Sequence, residues 1–152
     1  MDSIRIFGYK SFKKLSVQLH PINLLIGANG AGKSNFLSLF EMLGNIYEKR
    51  LGAYVAQVGG VDKFLYQGRK VTDRIAVNLL IAKSEYDLAL LEADGKLIVE
   101  REVVGCYDDV CPLDLVRKNV ITEYQSESSL KDHKEEDLSN YISQIRKFHF
   151  HD

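Results

Sequence analysis

Between residues 27 and 34 the chain reads Gly27-Ala28-Asn29-Gly30-Ala31-Gly32-Lys33-Ser34. No other stretch limits the fold as tightly. So many glycines in so few residues do not belong inside a helix or a strand, so this stretch must be a bent connection. Its flanks say what it connects. Before it, Ile22-Asn23-Leu24-Leu25-Ile26 is a short, mostly apolar run that predicts a buried strand. After it, Phe36, Phe40, Leu43 and Tyr47, with Leu39 and Ile46 beside them, recur at helical spacing. They predict an amphipathic helix, weakened at Gly44 and ending near Arg50-Leu51-Gly52.

The bend fits the pattern G-x-x-x-x-G-K-[ST], in the strand-to-helix context that this pattern requires. Each part has a physical task. Gly27, Gly30 and Gly32 let backbone approach an anion without Cβ interference. The amides of Asn29, Gly30, Ala31, Gly32, Lys33 and Ser34 then point inward as a nest for phosphate oxygens. The helix that follows adds the positive end of its dipole. Lys33 supplies a point charge for β- and γ-phosphates, and the Ser34 hydroxyl is a Mg²⁺ ligand. Asn35 stands one residue further on, where it approaches an α-phosphate. A glycine-rich turn that merely joined strand to helix would leave Lys33-Ser34 unexplained.

The rest of the chain predicts a β-rich lobe. Ile4 to Phe7 and Leu15 to Leu19 alternate apolar and polar residues as half-buried strands do, joined by a polar connection over Lys10 to Lys14. Residues 74–82, 86–93 and 96–104 are rich in β-formers and leucine. The last two runs are separated by Asp94-Gly95, a strong short-range hairpin signal. An antiparallel meander is therefore expected over residues 74–107. Val120 to Tyr124 suggests one more strand. Residues 135–147 place Leu138, Tyr141, Ile142 and Ile145 on one side of a helix. The expected fold is α/β with α+β character. One unit spans 1–152, with strands, bend and first helix in 1–50, joined to the antiparallel lobe.

Composition narrows the classes further. A chain of 152 residues, 27% charged and 45% hydrophobic, can bury a core and is not wholly disordered. A net charge of -1 rules out a nucleic-acid-binding field over the whole surface, though a local basic face is compatible with it. No apolar run approaches the roughly 18 residues that span a bilayer, and the N-terminus lacks the apolar core of a signal peptide. The expected setting is the cytoplasm, with no membrane. Cys106 and Cys111 lack the second half of a zinc site and are read as reduced thiols. His149 and His151 flank Phe150, with no third metal ligand in evidence.

Three segments together resemble a known family: Ile4-Arg5-Ile6-Phe7-Gly8-Tyr9-Lys10-Ser11-Phe12, then Ile22 to Ile26, then Gly27 to Ser34 followed by Asn35-Phe36-Leu37. They resemble the N-terminal lobe of an ABC-type ATPase of the SMC/RecF class, in particular the bacterial AAA-like ATPases related to the OLD family. Gly59 to Leu65 and Phe148 to Asp152 are also similar to that group. The resemblance implies ATP and Mg²⁺ as cofactors, held between two heads. One head's P-loop faces a Leu-Ser-Gly-Gly-Gln signature from the other. A Walker B Asp holds the metal, an adjacent Glu positions water, and a Gln at a strand end senses metal and γ-phosphate. By that resemblance Gln125 is the candidate metal-sensing residue, and the Lys10-Ser11-Phe12 region lies near the base. It further implies partners such as a second head, DNA or an effector nuclease.

The chain departs from this pattern. It has no Leu-Ser-Gly-Gly-Gln stretch, and Gly59-Gly60 lacks the preceding serine. The nearest imitation of Walker B, Leu88-Ala89-Leu90-Leu91-Glu92, ends just before the Asp94-Gly95 turn, where Glu92 is expected as a solvated hairpin residue. ATP binding should thus survive better than turnover. The expectation is the N-terminal part of a longer ATPase, or a chain completed by a partner. Two alternatives stand beside it: a small P-loop kinase with Arg69, Lys70 and Arg74 as its lid, or a non-hydrolytic interaction module regulated by nucleotide. Phe12 is read mainly as packing, Lys10 as a base or phosphate contact, and Lys10, Lys13 and Lys14 as a solvated basic run able to meet DNA phosphates in a larger assembly.

Overall fold

The computed structural model describes residues 2–106, 117–133 and 136–144. Six strands form one sheet: β1 (Asp2–Tyr9), β2 (Phe12–Leu19), β3 (Arg74–Ile81), β4 (Ser84–Ala93), β5 (Lys96–Cys106) and β6 (Arg117–Gln125). Their order is β2-β1-β3-β4-β5-β6, and every pairing is antiparallel. Hairpins join β3 to β4 and β4 to β5, as the meander pattern predicts. Asp94 and Gly95 take φ values of 51° and 78°, the left-handed pair that a type I′ turn demands. Glu92 closes this turn by accepting from the Gly95 amide at 2.8 Å, which places it in the hairpin turn as its sequence position predicts.

Three helices cover one face: α1 (Lys33–Tyr47), α2 (Leu51–Val58) and α3 (Glu136–Ser143). Period-2 burial along the strands sends Ile4, Ile6, Ile75, Val77, Leu79, Ile81, Tyr86, Leu88 and Leu90 toward them. From the helices come Phe36, Leu39, Met42, Leu43, Ile46, Leu51, Tyr54, Val55, Leu138 and Ile142, and all of these join one continuous core. The α1 stripe is the one its spacing predicts, with Phe40 and Tyr47 at the margin. The apolar run does not simply stop near Gly52. Lys49 turns with φ 55°, and α2 begins two residues later. Leu51, Tyr54 and Val55, spaced i, i+3, i+4, were the signal for this second helix. Glu127 caps α2 from a distance, accepting from the Leu51 and Gly52 amides at 3.0 and 3.3 Å.

A buried carboxylate fixes the far end of the sheet. Glu102 is fully buried, and it accepts hydrogen bonds from Tyr86, Thr122, Ser128 and the Ser129 amide at 2.5 to 3.0 Å. Four donors replace the water it loses. They tie β4, β5, β6 and the following turn to one side chain.

One expectation fails. Ile22 to Ile26 is not a strand, and it is not buried. Ile22, Leu24 and Ile26 are 89%, 81% and 84% exposed. A strand exists only when a neighbour takes its backbone hydrogen bonds. The described residues provide none, because β2 is the sheet edge and pairs only with β1. The run begins at a small Asn23 turn, where the His20 amide donates to Oδ1 at 3.0 Å, and then extends to the bend. The expected C-terminal helix is seen as α3; its outer positions, Glu135 and Ile145 to Lys147, lie outside the described residues, as do Cys111, His149 and His151.

Candidate functional site

The glycine-rich bend leads straight into α1. Gly30 and Gly32 have φ of 84° and 93°. Gly32 is also the N-cap of α1, where no side chain caps the helix and no acidic residue occupies the first turn. That combination leaves the first amides of a 15-residue helix without an anionic partner from the protein. The Ala31 amide is taken by the Ala28 carbonyl at 3.2 Å, whereas those of Asn29, Gly30 and Gly32 have no backbone acceptor among the described residues. Asn29, Gly30, Gly32, Lys33, Ser34 and Asn35 line a cleft of about 210 Å³, large enough for phosphate groups.

Lys33 reaches back over this cleft. Its Nζ donates to the Gly27 and Ala28 carbonyls at 2.6 and 2.8 Å. An ammonium held only by carbonyls can exchange them for phosphate oxygens, and charge-assisted bonds to an anion are stronger. Ser34 is exposed at the start of the helix, with its hydroxyl available to a cation.

The β1–β2 turn buttresses the bend. Added to Gly32, a Cβ would lie 3.0 Å from the Ser11 hydroxyl and 3.1 Å from the Phe12 ring, so the bend and this turn are in direct contact. Asn35 donates to Ser11 Oγ at 3.0 Å. Phe12 packs against the core margin, in keeping with its packing role. Lys10, with φ 46°, donates to Ser38 Oγ at 2.8 Å and lies over the Tyr9 and Phe64 rings at 5.4 and 5.5 Å. Tyr9 Oη shares Ser38 at 2.9 Å, and Ser38 donates in turn to the Asn35 carbonyl at 2.8 Å. Burial pushes the Tyr9 phenol well above its ordinary range, with a smaller opposing effect from the Ser38 hydrogen bond. Sequence reasoning missed Ser38; the signal was a serine on the apolar side of α1, between Phe36 and Leu39.

Beside the bend, Lys10, Asn35, Asp62, Gln67 and Gly68 line an open cleft of about 540 Å³. Asn35 lines both clefts, so they adjoin. The structure therefore gathers Gly27, Asn29, Gly30, Ala31, Gly32, Lys33, Ser34 and Asn35, with Lys10 nearby. It does not bring Gln125 to them. Gln125 ends β6, in register with Val99, and β3, β4 and β5 lie between β6 and β1. Four strand spacings put it roughly 19 Å from β1. Of the basic cluster after residue 68, Arg69 pairs with Asp62 at 3.4 Å and Arg74 with Glu100 at 2.8 Å. Among the described residues no group of three or more His, Cys, Asp or Glu forms a metal cluster, and no helix is long and apolar enough to cross a membrane.

A left-handed glycine bend, a helix N-terminus without a side-chain cap and a lysine folded back over the bend meet at one place. The chain belongs to the AAA ATPase domain family, whose model matches residues 1–148. No curated protein and no solved structure matches it. Membership of this family implies nucleotide binding, usually with Mg²⁺.

Proposed function

We propose that this chain binds Mg-ATP through residues 27–35, as the N-terminal part of a SMC/RecF-like ATPase related to the OLD family. The observation that carries the reading is the uncapped start of α1 beneath the Lys33 ammonium. Protein helices usually satisfy their first amides with a side chain. Here that role is left to a ligand. The amides of Asn29, Gly30, Gly32, Lys33 and Ser34 would cradle phosphate oxygens, whereas the expected Ala31 amide is held by Ala28; Lys33 would balance their charge, and Ser34 would hold Mg²⁺, which supplies charge neutralisation for phosphoryl transfer.

The exposed run from Ile22 to Ile26 supports the same reading. An apolar segment with unpaired backbone beside the bend is a strand awaiting neighbours. Added strands, from a longer chain or from a partner, would bury it and bring the Walker B and signature groups. A Gln125 metal contact would need a rearrangement of the β6 edge. The kinase alternative is less well supported, because two of the three lid residues it needs are held in ion pairs.

Calorimetry with Mg-ATP on the wild type and Lys33→Ala tests the proposal. Losing the ammonium should weaken binding at least about tenfold, with the fold unchanged. Equal heats from both proteins would reduce the loop to a structural connection.

A further inference from the structure

Ser38 lines neither of the two adjoining clefts, yet it is bonded to a residue of each. It is 8% exposed, on the inner side of α1. Its hydroxyl makes three hydrogen bonds, and their chemistry fixes which atom gives each proton. The Lys10 ammonium, at 2.8 Å, can only donate. The Asn35 carbonyl, also at 2.8 Å, can only accept. Ser38 has a single proton, which therefore goes to Asn35. The Tyr9 hydroxyl, at 2.9 Å, must then donate to Ser38 as well. One proton given and two accepted exhaust a hydroxyl, so Ser38 has nothing left for a ligand. Its partner Lys10 does line the cleft of about 540 Å³. Lys10 has a φ of 46°, in the left-handed region that few lysines adopt. Its amide donates to the Phe64 carbonyl at 2.7 Å, and the Tyr66 amide donates to the Gly8 carbonyl at 2.9 Å, so the loop after α2 clamps this backbone on both sides of Tyr9. Strain of this kind persists only where the surroundings over-determine it, and it collects at ligand-binding positions.

Given Mg-ATP in the glycine-rich bend, the reading on which this rests, we infer that Ser38 is a positioning residue that acts through Lys10 on the nucleoside end of the nucleotide. The phosphates have the cleft of about 210 Å³, and Asn35 joins it to the cleft of Lys10, where the sugar and base have room to extend. There the Lys10 ammonium donates to sugar or base acceptors. The Tyr9 and Phe64 rings attract that ammonium at 5.4 and 5.5 Å, but a ring face does not aim it. The Ser38 hydroxyl does, because a hydrogen bond is directional. By giving its own proton to Asn35, Ser38 also ties the aim of Lys10 to the first turn of α1, where the phosphate amides lie. Its effect therefore falls on the nucleoside and not on the phosphates, which the bend and Lys33 hold.

Calorimetry with two ligands, Mg-ATP and Mg-tripolyphosphate, tests this, since the second has the phosphates without the nucleoside. Ser38→Ala should weaken Mg-ATP about tenfold and leave Mg-tripolyphosphate unchanged. Ser38→Cys keeps nearly the same volume but bonds weakly, and it should show the same selective loss. Lys10→Gln should weaken Mg-ATP at least as much as Ser38→Ala does. Adding Ser38→Ala to Lys10→Gln should then cost nothing further, because the two side chains act as one unit. The role is overturned if Ser38→Ala weakens both ligands equally, which would mark a general disturbance of α1, or if it weakens neither. Losses that add in the double variant would overturn it too, since Ser38 would then not act through Lys10. A wild type that binds neither ligand overturns the Mg-ATP reading itself, and the role of Ser38 with it.

Discussion

The run Ile22 to Ile26 and the strand β3 have much the same composition. Both are short, rich in Ile and Leu, and interrupted by one asparagine, Asn23 or Asn78. Their fates differ. In β3 every alternate residue is buried, and β1 and β4 flank it on both sides. The run before the bend stays extended and solvent-exposed. Hydrophobic content therefore did not decide which segment became a strand. Neighbours did, because the backbone must place its hydrogen bonds somewhere and burial without them is costly.

Truncating one leucine in each region puts that contrast to its hardest test. Leu79 is fully buried, so Leu79→Ala should cost about 2–5 kcal/mol in urea denaturation. Leu24 is 81% exposed, and Leu24→Ala should fall within about 0.5 kcal/mol of the wild type. Similar costs at both sites would mean that the run is covered in solution. A smaller effect is expected in the bend that follows the exposed run. At Gly32, with φ 93°, an alanine would be strained and would press on Ser11 and Phe12. Gly32→Ala should destabilise by about 1–2 kcal/mol and weaken Mg-ATP binding as well. Unchanged stability would show that the β1–β2 turn yields easily and does not brace the bend.

The smallest effect concerns pH. Burial pushes the Tyr54 phenol up to about 12, with a further contribution from Glu41, and it raises Tyr9 and Tyr86 in the same direction. The folded state thus keeps protons that the unfolded chain releases near pH 10. Stability from this source is complete below pH 10 and is lost as pH rises toward the folded values. Thermal melts between pH 8 and 12 should show Tm declining above pH 10, and Tyr54→Phe should make the decline shallower. A flat profile would mean that these rings are wetter than the core around them.

Much of the sheet could be read from local pattern. Alternation marked β1, and Asp94-Gly95 marked the β4–β5 hairpin, since few residue pairs tolerate two left-handed positions in succession. Val120 to Tyr124 marked the centre of β6. The α1 stripe was equally legible. By contrast, α2 was hidden because Lys49 breaks the helix in a left-handed turn that a lysine rarely adopts. The Glu102 node could not be foreseen, since its donors come from residues 16 to 27 positions away. Within the site, the bend and its lysine were legible as residue types. The Tyr9–Ser38–Lys10 contacts were not, because they join a strand end to a helix 28 or 29 residues later.

By itself the sequence determined the bend: Gly30 and Gly32 accept the left-handed backbone that turns the chain into α1, and that outcome is local. Tertiary structure decided what surrounds it. Whether Ile22 to Ile26 pairs, and whether Lys10 meets Ser38, depends on which elements lie side by side, and that is settled by long-range hydrogen bonding and not by any residue's own preference.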